Sequence, residues 1–66
     1  MRIKLEPRWT KELAALPESG MGYQRVDVRF ADGRHLEDVV VLNAEYLDVP
    51  ATFEAAEVQE MKLHRD

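Results

Sequence analysis

The chain contains no cysteine, only three glycines and three prolines, a single tryptophan, and no surplus of positive charge. Without cysteine it can form neither a disulfide nor a thiolate zinc site. It has no run of roughly 20 apolar residues, the length a bilayer-spanning helix needs, so no membrane partner is expected. The opening Met1-Arg2-Ile3-Lys4-Leu5-Glu6-Pro7 lacks the apolar core of roughly 7–15 residues that marks a signal peptide, and a cytoplasmic chain is expected. Nine Lys and Arg against thirteen Asp and Glu leave a net charge of −4, which argues against a broad basic face for nucleic acid. Internal repeats and low-complexity segments are missing too.

What is present is globular: 66 residues, 45% hydrophobic and 33% charged, enough for one domain over 1–66 and no second. A domain of this size buries only about 60% of the surface its unfolded chain exposes. Small domains without disulfides or metals commonly gain stability by associating. A homo-oligomer or a protein partner is therefore expected.

Taken in order, Ile3 and Leu5 alternate with Arg2 and Lys4, the pattern of a short strand or an extended lead-in. Glu6-Pro7 opens a helix, because proline suits the first helical position and an acid there suits the dipole. Trp9, Leu13 and Leu16 fall on one helical stripe, and Pro17 ends it. The stretch Pro17-Glu18-Ser19-Gly20-Met21-Gly22 reads as a connection into the first long strand. From Tyr23 the sequence Tyr-Gln-Arg-Val-Asp-Val-Arg-Phe leads into Ala31-Asp32-Gly33 and returns as Arg-His-Leu-Glu-Asp-Val-Val-Val-Leu, a hairpin. Asn43-Ala44 turns the chain again, residues 45–49 read as a third strand, Thr52 as the cap of one helical turn over residues 53–56, and residues 58–63 as a last strand with Met61 and Leu63 inward.

The hairpin register follows from its apolar residues. A two-residue Asp32-Gly33 turn would set Glu37 opposite Val28, on the buried face. A three-residue loop with Gly33 left-handed pairs Phe30 with Arg34 and Val28 with Leu36, and is the choice that keeps Leu36 in the core. Asp38 then falls opposite Val26. Either it is a buried carboxylate, or a bulge near Glu37-Asp38 rotates the strand before Val39-Val40-Val41-Leu42. That four-residue run calls for cover on both faces.

The fold class expected is α+β: one N-terminal helix packed on a small, bent antiparallel sheet of four to five strands, with closure into a barrel left open. Two resemblances bear on this. The order of elements, with Val28-Arg29-Phe30-Ala31-Asp32-Gly33-Arg34-His35-Leu36, resembles the first motif of the Sm-like fold among the SH3-like small barrels. That resemblance implies a bent barrel and single-stranded RNA binding. It departs where Asp38 stands in place of the glycine at the strand bend, and Asn43-Ala44-Glu45-Tyr46 does not reproduce the Asp-x-x-x-Asn loop. The stretch Leu16-Pro17-Glu18-Ser19-Gly20-Met21-Gly22-Tyr23-Gln24 is similar to one in short bacterial proteins that carry no assigned activity.

No catalytic, cofactor or metal constellation emerges. His35 and His64 are the only imidazoles and share no ligand spacing with carboxylates, and Gly20-x-Gly22 falls short of a phosphate loop. A non-enzymatic interaction or self-associating module is expected, with Trp9, Met21, Val39 and Val41 as its interface. The alternative, single-stranded RNA, would use Tyr23, Arg25, Arg29 and Tyr46, two stacking rings with two cations. Asp27, Asp32 and Glu37 interleave with those cations, a pattern more typical of a solvated face with cross-strand ion pairs.

Overall fold

The computed structural model describes residues 1–50 and 53–65. Strand β1 (Arg2–Lys4) leads into helix α1 (Pro7–Ala14), then β2 (Tyr23–Phe30), β3 (His35–Leu42), β4 (Tyr46–Asp48), one 3₁₀ turn (Ala55–Glu57) and β5 (Val58–Leu63). The strands form one antiparallel sheet in the order β1-β4-β3-β2-β5. The α+β class and the five-strand count match the reading of the sequence. The sheet does not close, so β1 and β5 remain its edges.

Proline stands at the first position of α1, as expected, and Trp9 and Leu13 are buried against the sheet. Leu16 is not: it is 37% exposed. The helix stops at Ala14, and the Ala15 and Leu16 N–H groups reach only three residues back, to Glu12 and Leu13. Leu16 thus leaves the helical screw before the stripe would carry it inward. The carbonyls at this end meet the side chain of Gln24, whose Nε2 donates to Leu13 O at 2.9 Å and to Leu16 O and Pro17 O at 3.3 Å. Gln24 is the one buried polar side chain among the described residues. It lies on the same face as Val26, Val28 and Phe30, and it fastens the helix end to the central strand.

The hairpin has the register deduced from its apolar residues. Val28 pairs with Leu36, Arg29 with His35, and the Phe30 N–H donates to Arg34 O at 2.8 Å. Gly33 has φ +92°, so the loop is Ala31-Asp32-Gly33. Beyond it the pairing slips: Val26 faces Val39, leaving Glu37 and Asp38 opposite Asp27 alone. This is the bulge, and Asp38 is its left-handed residue at φ +57°, exposed rather than buried. The slip carries Val39 and Val41 inward and turns Val40 and Leu42 outward, with Val41 completely buried.

At the next turn Asn43 and Ala44 both have positive φ, and Glu45 N–H closes on Leu42 O at 2.9 Å, a primed turn. The third strand is narrower than expected, but Val49 N–H still bonds Met1 O at 2.7 Å. The single helical turn begins two residues later than the sequence suggested and ends one residue later. Glu54 caps it through a reciprocal bond with Glu57, while Thr52, the expected cap, lies outside the described residues. Phe53 stacks on Phe30 at 4.3 Å, and the Arg34 guanidinium covers the Phe53 ring at 4.2 Å.

Two substitutions check these local assignments. Nothing lies within 4 Å of a Cβ built at Gly33, so Gly33→Ala introduces backbone strain alone and is expected to cost about 1–2 kcal/mol in denaturant unfolding. Gln24→Leu, similar in size but unable to donate, is expected to cost about 1–3 kcal/mol, because it removes the side-chain donor shared by the three helix-end carbonyls. An unchanged unfolding midpoint for either variant would rule out the corresponding assignment.

Candidate functional site

Strand alternation puts Tyr23, Arg25, Asp27 and Arg29 on the outer face of the sheet, away from α1. Pairing extends that face to Leu42 and Tyr46 beside Tyr23, to Val40 beside Arg25, and to Lys62 and Glu60 beside Asp27 and Arg29. The bulge then adds Asp38. Its left-handed backbone directs its N–H to Asp27 Oδ1 at 3.0 Å, and its carboxylate takes a bidentate bond from Arg25, at 2.5 and 2.7 Å. Asp27 Oδ1 also lies 2.8 Å from His64 Nδ1, just past the end of β5.

The charges of this cluster support one another. The paired side chain of Asp27 is the main cause holding the His64 imidazole above its ordinary 6.5, against the opposing effect of burial. Burial pushes the Asp27 carboxyl up, but the Asp38 N–H, the His64 ring and the charge of Lys62 outweigh it, and it settles below the ordinary range. The Arg25 guanidinium is the main cause holding the Asp38 carboxyl low. The same design recurs around the hairpin. Arg29 pairs with Glu60 at 3.3 Å, and Arg34 reaches Asp32 at 2.5 Å, where the Arg34 backbone N–H is the main cause lowering the Asp32 carboxyl.

Of the residues the RNA alternative would use, the structure brings Tyr23 and Tyr46 into one cross-strand row with Leu42 between them, both rings partly exposed. Arg25 and Arg29 lie on the same face but are each engaged by a carboxylate. Of the expected interface residues, Trp9, Val39 and Val41 turn into the chain's own core: Trp9 and Val41 are buried, and Val39 packs against that core. For the valines the cause is the one-residue slip at the bulge. Trp9 is enclosed between helix and sheet, with Arg8 over its ring at 4.7 Å and its indole N–H unpartnered among the described residues. Met21 alone stands out, 99% exposed at the tip of its loop. That loop is pinned rather than slack: Ser19 Oγ accepts the Arg25 N–H at 2.8 Å, and the Tyr23 ring lies where any Gly20 side chain would have to go.

The surface that reasoning from the sequence did not single out is the free edge of β5. His64 N–H donates to Arg25 O at 2.8 Å, so alternation along the ladder turns the Lys62 and Glu60 backbone groups toward β2 and those of Met61 and Leu63 away from it. An open groove of about 670 Å³ lies at this edge, its lining including Glu12, Leu16, Met61, Lys62 and Leu63. Among the described residues, no group of three or more His, Cys, Asp or Glu is placed to hold a metal ion. Among the described residues, too, no helix is long and apolar enough to cross a membrane. No family model, curated protein or solved structure matches this chain.

The His64–Asp27 contact has a defined pH signature. The folded ring holds its proton more tightly than the unfolded one, so the contact stabilises the fold fully below about pH 6.5 and ceases to do so as pH rises through the raised folded value. Asp27 contributes in the opposite sense, above the ordinary 3.8, and its share is lost as pH falls through its lowered value. In an NMR titration His64 is expected to titrate above 6.5 and to move down in Asp27→Asn. A ring that titrates at or below 6.5 in the unaltered chain would show that the pair does not form.

Proposed function

We propose that this chain is a non-enzymatic module that works by self-association, joining copies through its open sheet. The observation that carries this reading is the unclosed sheet itself: a five-strand layer with a pairing edge at either end, one of them flanked by a groove. Exposed edges are templates for further strands, and natural domains normally cover, blunt or use them. A 66-residue chain without disulfides has additional reason to use one, since association adds the buried area that its own core is too small to supply. The outer face supports the same reading over RNA binding. Its arginines are satisfied by Asp38 and Glu60, and a phosphate backbone would have to displace both.

Sedimentation velocity from low to high micromolar concentration tests this. A reversible monomer–dimer equilibrium is expected, together with no retention of mixed RNA oligomers at low salt. A well-folded monomer throughout that range overturns the proposal, and salt-sensitive RNA binding would favour the alternative.

A further inference from the structure

Resting on the self-association just proposed, the structure assigns its contact: β5 pairs antiparallel with β5 of a second copy, about a two-fold axis at Met61. Three stretches of open backbone edge compete for this role, and two are unsuited to it. Strand β1 is only three residues long, and pairing it with itself about Ile3 would set Arg2 against Lys4 twice, cation against cation. The part of β3 beyond the reach of β4 is interrupted by the bulge at Glu37-Asp38, which breaks the regular spacing an added strand requires.

Strand β5 behaves differently. Residues directly opposite in an antiparallel pair share a face, so the outward Glu60 and Lys62 can meet only outward residues of the other copy. A two-fold axis at Glu60 sets Glu60 against itself, and one at Lys62 sets Lys62 against itself. An axis at Met61 sets Glu60 against Lys62 of the second copy, and the symmetry makes that contact twice. It is the self-complementary register. It is also one in which the backbone groups of Met61 point to the partner strand, because those of Glu60 and Lys62 are turned toward β2. Arg8, whose Nη2 already donates to Val58 O at 3.2 Å, closes the other end of the strand and confines pairing to the stretch around Met61. Leu16 and Leu63, which both line the groove, stand beside that stretch, so the helix end that failed to bury Leu16 leaves it where a second copy would cover it.

The test is charge reversal in the 66-residue chain, with the dimer constant read by sedimentation and folding checked by circular dichroism. Both side chains are exposed, so the variants retain the core. Glu60→Lys and Lys62→Glu each convert two attractive contacts into two repulsive ones and are expected to weaken the dimer about tenfold or more. The double variant restores opposite charges across the axis and is expected to return to within about threefold of the unaltered chain. It also sets Lys at 60 beside Arg29 and Glu at 62 beside Asp27, so an effect confined to one chain would not be rescued. In parallel, the Met61 and Leu63 amides are expected to gain protection from hydrogen exchange as the dimer populates. A dimer indifferent to both single reversals, or one that the double variant does not restore, overturns this contact and leaves self-association standing. A chain that stays monomeric overturns both.

Discussion

Glu37 and Asp38 stand together opposite Asp27, two residues against one, and both faces of the sheet depend on that step. In an unbroken register Leu36 would point inward with Asp38, Val40 and Leu42, and a carboxylate would enter the core. The extra residue lets Leu36 on one side of the step and Val39 and Val41 on the other share the inner face. A left-handed conformation costs an L-residue roughly 1–2 kcal/mol, less for aspartate than for most. Asp38 offsets that cost with a side-chain bond that glycine could not make, since its carboxylate holds Arg25; its backbone N–H, which glycine would share, anchors Asp27. The device that completes the core therefore also builds the polar cluster.

The second organising feature is that β2 touches almost everything. It pairs with β3 on one side and β5 on the other, and its inward residues Val26, Val28 and Phe30 are almost wholly buried. An eight-residue helix is too short to persist alone in water, so α1 must be held by what it packs on. Two polar side chains do this at its two ends. Gln24 on β2 receives the C-terminal carbonyls, and Arg8 at the start reaches Val58 on β5. With so small a core, such ties contribute a large share of the net stability.

Much of this was legible in the order of residues. Alternation in the first long strand, the position of Leu36 and the Ala31-Asp32-Gly33 loop together determined the hairpin register, and the conflict at Asp38 announced the bulge. The inward set of the last strand was equally plain. What stayed hidden depended on where elements end or on distant partners. Leu16 reads as part of a stripe because periodicity is blind to the helix stopping two residues earlier. Gln24 carried a signal that went unused, an amide in line with Val26, Val28 and Phe30, which implies a buried donor with carbonyls to meet. Nothing local marks Asp27 as the partner of His64, 37 residues away. The interface valines were misplaced for a sharper reason: the bulge that the register called for also reverses which of residues 39–42 face outward.

The same bulge bears on how the sheet ends. A strand that has slipped cannot extend a regular ladder, so β3 is removed as a pairing edge by the feature that completes the core. Strand β1 is short, and its two outward residues are cations, the usual protection of an edge that should stay alone. Strand β5 carries one charge of each sign on its outward face, flanking a methionine, and under the proposed contact that arrangement would repel a second copy in neighbouring registers and accept it in one. Alternating charge of this kind is a poor barrier to pairing and a good selector of register. An edge meant only to be kept solvated would be better served by two lysines, as β1 nearly is. The difference between the two ends of one sheet is what the proposed contact rests on.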